Sequence, residues 1–253
     1  MKKVIFLFFV LLSTQYSISQ ENYVCTTVDY YYYFNQIGSS ASYPRNCRLI
    51  INENASLYEI FDVEASSNEP ERYNSDKGTA VVVLKPKKNR FYYKDLKNKT
   101  ITNRERIFIE KFFVLDSLDN LFEWKLTQKR KNILGYDCQE ATTEFRGRKY
   151  TAYFTPEIPV QNGPWKFHGL PGLILEVSMD KNTLVEFSIT AENVEFSKER
   201  CDVINPYADK KTYSRKKYED LYKKKYDEIT SYQGEGGVSY GMSKGLIEVI
   251  IEE

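Results

Sequence analysis

The sequence predicts an α+β fold that is mostly β: a curved antiparallel meander sheet, half-barrel in form, with one C-terminal amphipathic helix packed on its concave face. Three observations carry this expectation. Short runs rich in tyrosine, phenylalanine and β-branched residues recur along the 253 residues, polar turn residues separate them, and a single stretch switches to helical spacing. No internal repeat, Ser/Gly linker or composition break divides the chain, so residues 20–253 read as one domain behind a leader at 1–19.

The leader comes first. Lys2 and Lys3 precede an unbroken apolar run from Val4 to Leu12, and small polar residues follow. This is the layout of a secretory signal peptide, and the run is shorter than the roughly 20 apolar residues a membrane span requires. Cleavage is placed after Ser19, with Gln20 the first mature residue. No second apolar stretch follows, so no transmembrane segment is expected after cleavage, and the chain is assigned to the periplasm, the cell surface or the medium.

Strands follow in series. Val28–Asn35, Leu57–Val63, Thr79–Leu84, Arg90–Tyr93, Arg106–Leu115, Leu121–Thr127, Asn132–Phe145, Lys149–Thr155, Leu173–Met179 and Leu184–Phe196 all have β-type composition. Lys97-Asn98, Asp119-Asn120, Arg146-Gly147 and Asp180-Lys181-Asn182 read as hairpin turns between them. In Tyr30-Tyr31-Tyr32-Tyr33-Phe34, alternation sends every second ring into the core. An aromatic surface for sugar or peptide is the alternative reading of this richness. Ser66–Gly78 and Tyr232–Ser243 read as loops, and Leu246–Ile251 as a closing strand.

The helix is placed at Ser214–Ser231. Tyr218, Leu221, Tyr222, Tyr226 and Ile229 recur at spacings of three and four and so share a face. Glu219 with Lys223 and Asp220 with Lys224 are expected to pair on the other face, and Lys223 to Lys225 read as solvated.

Composition excludes several functions. With 36 Lys+Arg against 35 Asp+Glu, the formal charge of +1 offers no cationic surplus for phosphate backbones. One histidine cannot supply the usual zinc ligand sets, so no metal and no cofactor are expected. Four cysteines in an exported chain favour disulfides. Cys25 with Cys47 and Cys138 with Cys201 is the preferred pairing, because it keeps both loops local.

The most informative stretch is Pro156 to Gly172, PEIPVQNGPWKFHGLPG, whose prolines and glycines cannot continue either neighbouring strand. Long loops in compact domains are often functional. Leu170-Pro171-Gly172-Leu173 has the chemistry of a type II turn, with Pro at the second position and Gly at the third. Trp165 and Phe167, two apart, are expected to face one side and outward. His168 is read chiefly as a loop-stabilising or partner-contacting residue, with ligand contact and catalysis as lesser alternatives. Glu157 and Glu176 flank the loop and read as solvated strand-end residues, a paired-carboxylate site only if both share a buried cleft.

Gly169-Leu170-Pro171-Gly172-Leu173-Ile174 resembles the signature of the GLPGLI family of exported Bacteroidetes proteins. Leu134 to Ala141, Phe145 to Thr155, Ile158-Pro159 and Gly163 to Phe167 follow the same family pattern in the same order. Glu140 stands where the family often has Lys, and Tyr153 where it often has Trp. The resemblance implies export and a single domain, and it implies no established activity. The fold is also similar, by analogy, to the half-open barrels of periplasmic lipoprotein carriers. Asp116-Ser117-Leu118 looks like the short O-glycan acceptor of exported Bacteroidetes proteins. Asn54-Ala55-Ser56 and Asn98-Lys99-Thr100 match an N-glycan pattern only weakly.

These readings lead to an expected function. The protein is expected to be a non-catalytic envelope binding or accessory protein. Trp165, Phe167, His168 and Leu170, set by the turn residues Gly169, Pro171 and Gly172, would meet an apolar ligand, a peptide or an outer-membrane protein. A hydrolase using Glu157, Glu176 or His168 on glycan or peptide is the second expectation. A purely structural surface protein is the third.

Overall fold

The computed structural model describes residues 24–37, 44–61, 89–180, 185–231, 242–245 and 247–250. The leader, the expected strand Thr79–Leu84 and the loop Ser66–Gly78 lie outside these residues. The fold is mostly β, with β1 (Cys25–Gln36), β2 (Arg45–Ile51), β3 (Ala55–Ile60), β4 (Arg90–Asp95), β5 (Thr100–Ile107) and β6 (Glu110–Ser117) in the first half. The second half adds β7 (Lys125–Ile133), β8 (Tyr136–Phe145), β9 (Arg148–Thr155), β10 (Leu173–Met179), β11 (Val185–Ser197), β12 (Thr212–Ser214) and one helix, α1 (Arg215–Ser231).

All twelve strands join one open sheet in the order β12-β6-β5-β4-β3-β2-β1-β11-β10-β9-β8-β7. Among the described residues only β12 against β6 is parallel. The sheet is two meanders, β1 to β6 and β7 to β11, sewn together where β1 pairs with β11 along twelve residues. Alternation behaves as expected in β1, where Val28, Tyr30 and Tyr32 are buried and Tyr31 is exposed.

The sheet is strongly curled, and two distances require it. Residues 118–124 link β6 to β7 and can span only about 25 Å when fully extended. Yet β6 and β7 stand ten places apart in the strand order, roughly 48 Å across a flat sheet. The Asp119-Asn120 hairpin expectation is therefore wrong: this link crosses the open mouth of the curl instead of joining neighbours. Within the sheet, β4 and β8 lie seven places apart, but Tyr92 of β4 and Phe145 of β8 are 6.3 and 6.1 Å from one indole, that of Trp165.

Two expected strands are hairpins. Arg106–Leu115 folds back at Phe108, and Asn132–Phe145 folds back at Leu134-Gly135. Leu134 at φ 53° and Gly135 at φ 90° provide the positive angles of a two-residue hairpin turn, as Arg146 and Gly147 do at 47° and 68°. Apolar Phe108 and Leu134 gave no turn signal. Residues 247–250 are not strand, contrary to expectation.

The helix matches its predicted span. Ser214 caps it by accepting from the Lys217 N–H at 3.3 Å. Tyr218 and Tyr222 pack with Ile107 and Val114, on the concave side that also carries Tyr92 and Lys94. The exposed face differs in detail: Glu219 and Asp220 pair backwards, with Arg215 at 2.7 Å and Lys216 at 3.8 Å.

The cysteine pairing is also corrected. Cys25 bonds Cys201, while Cys47 and Cys138 are buried free thiols. Register explains this. Cys47 lies opposite Tyr30, five residues along β1 from Cys25, roughly 16 Å away and beyond disulfide reach. Cys25 instead lies opposite Ser197 at the end of β11, and the chain turns back within four residues.

Non-reducing peptide mapping should recover a Cys25–Cys201 linked pair, with Cys47 and Cys138 alkylated only after unfolding. Cys201→Ser should lower stability by up to about 5 kcal/mol, since the bond closes most of the chain.

Candidate functional site

The segment between β9 and β10, residues 156–172, enters the curl and fills it. Its path is set by main-chain bonds to itself and to β10: Ile158 O accepts from Val160 N–H at 2.7 Å and from Leu173 N–H at 3.0 Å, and Asn162 O accepts from Ile174 N–H at 2.9 Å. A tight turn closed by Phe167 N–H on Pro164 O, 3.0 Å, carries Trp165 at φ 52°. That left-handed angle costs an L-residue about 1–2 kcal/mol. Burial of the indole offsets it.

Trp165, Phe167 and Leu170 are 4%, 0% and 1% exposed, so the expectation that the rings face outward is overturned. Trp165 contacts Tyr92, Phe145, Tyr150 and Phe187, from β4, β8, β9 and β11. Phe167 meets Tyr150 at 5.1 Å and Phe122 of the crossing link at 5.2 Å. The physical reason is the curl: a mostly apolar concave face needs an internal occupant, and this loop has the aromatic area to supply it.

The expected type II turn is also absent. Gly172 N–H bonds Leu170 O at 2.8 Å, closing a three-residue turn around Pro171, and Leu173 N–H goes to Ile158 instead. Gly172 is needed because a Cβ there would lie 2.1 Å from Thr155 O. Gly169 adopts φ 88° with open space around it.

Polar groups of the loop are satisfied internally. Lys94, on β4 and fully buried, donates to Asn162 Oδ1 at 2.8 Å, Gly163 O at 2.8 Å and Phe167 O at 2.7 Å. Burial pushes its pKa well below that of a free lysine. Three acceptors for three ammonium protons oppose that pull. Asn162 continues the chain by donating to Ser56 Oγ at 2.9 Å.

His168 faces two carbonyls, Lys166 O at 3.1 Å and Leu118 O at 2.8 Å, and Trp124 Nε1 donates to the His168 carbonyl at 2.9 Å. Burial first, and then the Lys94 charge, lower the His168 pKa. Its ring ties the loop to the crossing link. Glu157 is exposed and accepts from the Asp137 N–H at 2.9 Å. Glu176 pairs with Lys131 at 2.6 Å. These two carboxylates and His168 share no partner, so the arrangement proposed for a hydrolase is not assembled by these contacts.

A second cluster carries little trace in local sequence. Lys166, 1% exposed, meets Glu248 at 2.7 Å and Glu105 at 3.4 Å. Glu248 also accepts from Arg146 at 2.7 Å and Arg215 at 3.2 Å. Arg146 pairs in addition with Asp116. Burial alone would raise the Glu248 pKa, but the charges of Lys166, Arg215 and Arg146 bring it down to about 2. Only the chain order of charges was visible beforehand, and it does not bring residues 105, 146, 166, 215 and 248 together.

Residues 144–176 match a protein-family model described as "Protein of unknown function (Porph_ging)". The matched segment is short and contains the Gly169–Ile174 signature of the GLPGLI family. The GLPGLI segment thus spans the turn at Arg146-Gly147, β9, the internal loop and the start of β10. No curated protein matches the chain. Among solved structures, PNGF-II is similar in two crystal forms, with TM-scores of 0.49 and 0.48 and 16% identity. These matches cover 79% and 80% of this chain and 33% and 34% of the other, so the chain spans about a third of PNGF-II. A DUF1329 family protein from Desulfovibrio piger matches at TM-score 0.22 and 9% identity, over 74% of this chain and 90% of that one.

Glu140 and Tyr153, singled out separately in the sequence, form one interaction. They lie directly opposite on β8 and β9, and the Tyr153 hydroxyl donates to Glu140 at 2.7 Å. That bond first, and then burial, raise the Tyr153 pKa to about 12.

Trp165→Ala should cost about 3–5 kcal/mol, and Lys94→Met about 2–4 kcal/mol by stranding the Gly163 and Phe167 carbonyls, while Asn162 Oδ1 keeps the Gly163 N–H, both read from urea unfolding. Acid should act in two windows. The depressed His168 pKa means the unfolded chain takes up that proton first, so stability begins to fall below the ordinary value of 6.5. The Glu248 contribution is complete above the ordinary 4.5 and is lost as pH falls towards about 2. In urea midpoints measured from pH 7 to 2, Glu248→Gln should flatten the second window and leave the first.

Proposed function

We propose that this chain is an exported, non-catalytic binding or accessory protein of the cell envelope, in which the GLPGLI loop frames the binding surface from inside. The leader-like N terminus and the Cys25–Cys201 bond support an oxidising compartment. Internal satisfaction of Lys94, His168 and Asn162 supports a structural role for the loop.

The observation that carries a binding role is the β5–β6 tip. Phe108 and Ile109 are 67% and 78% exposed, and Phe108 holds φ 55°, where glycine, asparagine or aspartate would sit without strain. Both solvation and backbone energy oppose an apolar pair at this position, which favours selection for contact with an apolar partner surface. The occupant assigned to the tip is an outer-membrane protein partner. An apolar small ligand is disfavoured by a concave face already filled with Trp165 and Phe167.

The test is retention on native envelope fractions. Phe108→Ser with Ile109→Ser should lower retention at least tenfold while leaving the melting temperature within a few degrees. Undiminished retention of this doubly substituted protein would count against the reading.

A further inference from the structure

Residues 242–245 and 247–250 cross the GLPGLI region in the manner of a bound peptide. Among the described residues they join no strand, and their main chain makes one bond to main chain outside the segment, Val249 N–H to Arg146 O at 2.9 Å. Side chains supply the rest. Arg148 donates to Gly245 O at 3.0 Å, Tyr150 to Ile247 O, and Tyr222 to Ser243 O at 2.6 Å. Gly147 makes room for Val249: a Cβ there would fall 2.8 Å from Val249 Cγ2.

Glu248 is the centre of this contact. Its Oε1 accepts from Arg146 Nη1 at 2.7 Å and Lys166 Nζ at 2.9 Å, and its Oε2 from Lys166 Nζ at 2.7 Å and Arg215 Nη1 at 3.2 Å. Each cation also has a carboxylate of its own: Asp116 for Arg146, Glu105 for Lys166 and Glu219 for Arg215. Three cations and three anions remain if Glu248 is taken away, so a vacated site stays electrically balanced. Lys166 then falls back on Glu105, its longer partner at 3.4 Å. Independently, Arg215 Nη2 is buried and has no acceptor among the described residues, on the same guanidinium whose Nη1 holds Glu248.

We infer that Arg146, Gly147, Tyr150, Lys166 and Arg215 form a recognition groove for a looped peptide, folded back as Ile250 N–H is on Lys244 O at 2.8 Å, that carries a carboxylate side chain followed by a β-branched residue. The chain's own Glu248-Val249 occupies it. Four charge-assisted hydrogen bonds on one carboxylate select Glu over Gln, because an amide presents two donors to three cations. The glycine turn at 147 selects the residue that follows, since its missing Cβ is the space that Val249 fills. Every groove residue except Arg215 lies inside the matched family segment 144–176, so that segment both plugs the sheet and receives the peptide. The groove is distinct from the Phe108–Ile109 tip, and either reading can fail alone.

The test uses the full chain with a protease site introduced between positions 232 and 241, cut after folding. A fluorescein-labelled peptide of residues 242–253, MSKGLIEVIIEE, should displace the cut strap, and its Glu248→Gln counterpart should bind at least about 30-fold more weakly. Uncut full-length Glu248→Gln protein should take up the wild-type peptide, while uncut wild-type protein should not. Equal uptake of both peptides would overturn the inference. So would a cut strap that never exchanges, or a cut chain that unfolds while uncut Glu248→Gln protein takes up no peptide.

Discussion

One indole stands between strands that a flat sheet would hold far apart. Trp165 touches β4 on one side and β8 on the other, and the sheet curls around it. Everything else about the concave side follows from that placement. The loop must enter the curl, so its prolines and glycines are spent on tight reversals. Its backbone carbonyls are carried away from water and need buried donors. Lys94 meets that need with three hydrogen bonds from a single amino group, at the cost of burying a lysine far from any carboxylate among its described contacts.

The two buried lysines of the concave side solve opposite problems. Lys94 serves the loop's main chain and has only neutral acceptors. Lys166, carried by the loop itself, reaches the far end and meets Glu248 with Arg146 and Arg215 around it. Buried ion clusters of this kind contribute little net stability when complete and cost much when broken, because desolvation of each charge is already committed. Their value is geometric. They fix where helix α1, the β8–β9 turn and the C-terminal segment stand relative to the loop. That arrangement gathers the molecule's chemically assertive groups at one end of the sheet. Strands β5 and β8 run the same way, eight antiparallel steps apart, so the Phe108–Ile109 tip and the Arg146–Gly147 turn share that end.

A single sequence allowed most local structure to be read. The β-rich class, the helix span and the exact limits of β10 followed from periodicity and punctuation. Phe108-Ile109 and Leu134 hid two hairpins, because a bulky apolar residue at positive φ leaves no compositional mark. The Asp119-Asn120 pair looked like a hairpin turn, since turn chemistry is the same whether the next strand is adjacent or ten places away. The aromatic pair in the loop was recognised as important, but its direction was not legible. Burial of a ring depends on what surrounds it, and the surroundings of Trp165 come from four strands scattered between residues 90 and 197.

By itself the sequence determined the element types, the turn-rich excursion at 156–172 and the family signature within it, because these depend on interactions among near neighbours. Only the tertiary structure decided that Cys25 meets Cys201, that Lys166 meets Glu248, and that the signature loop lies inside the sheet. Those contacts depend on strand register and on the closure of the curl. Both are set by the summed burial of one concave face, which no short stretch of the chain encodes.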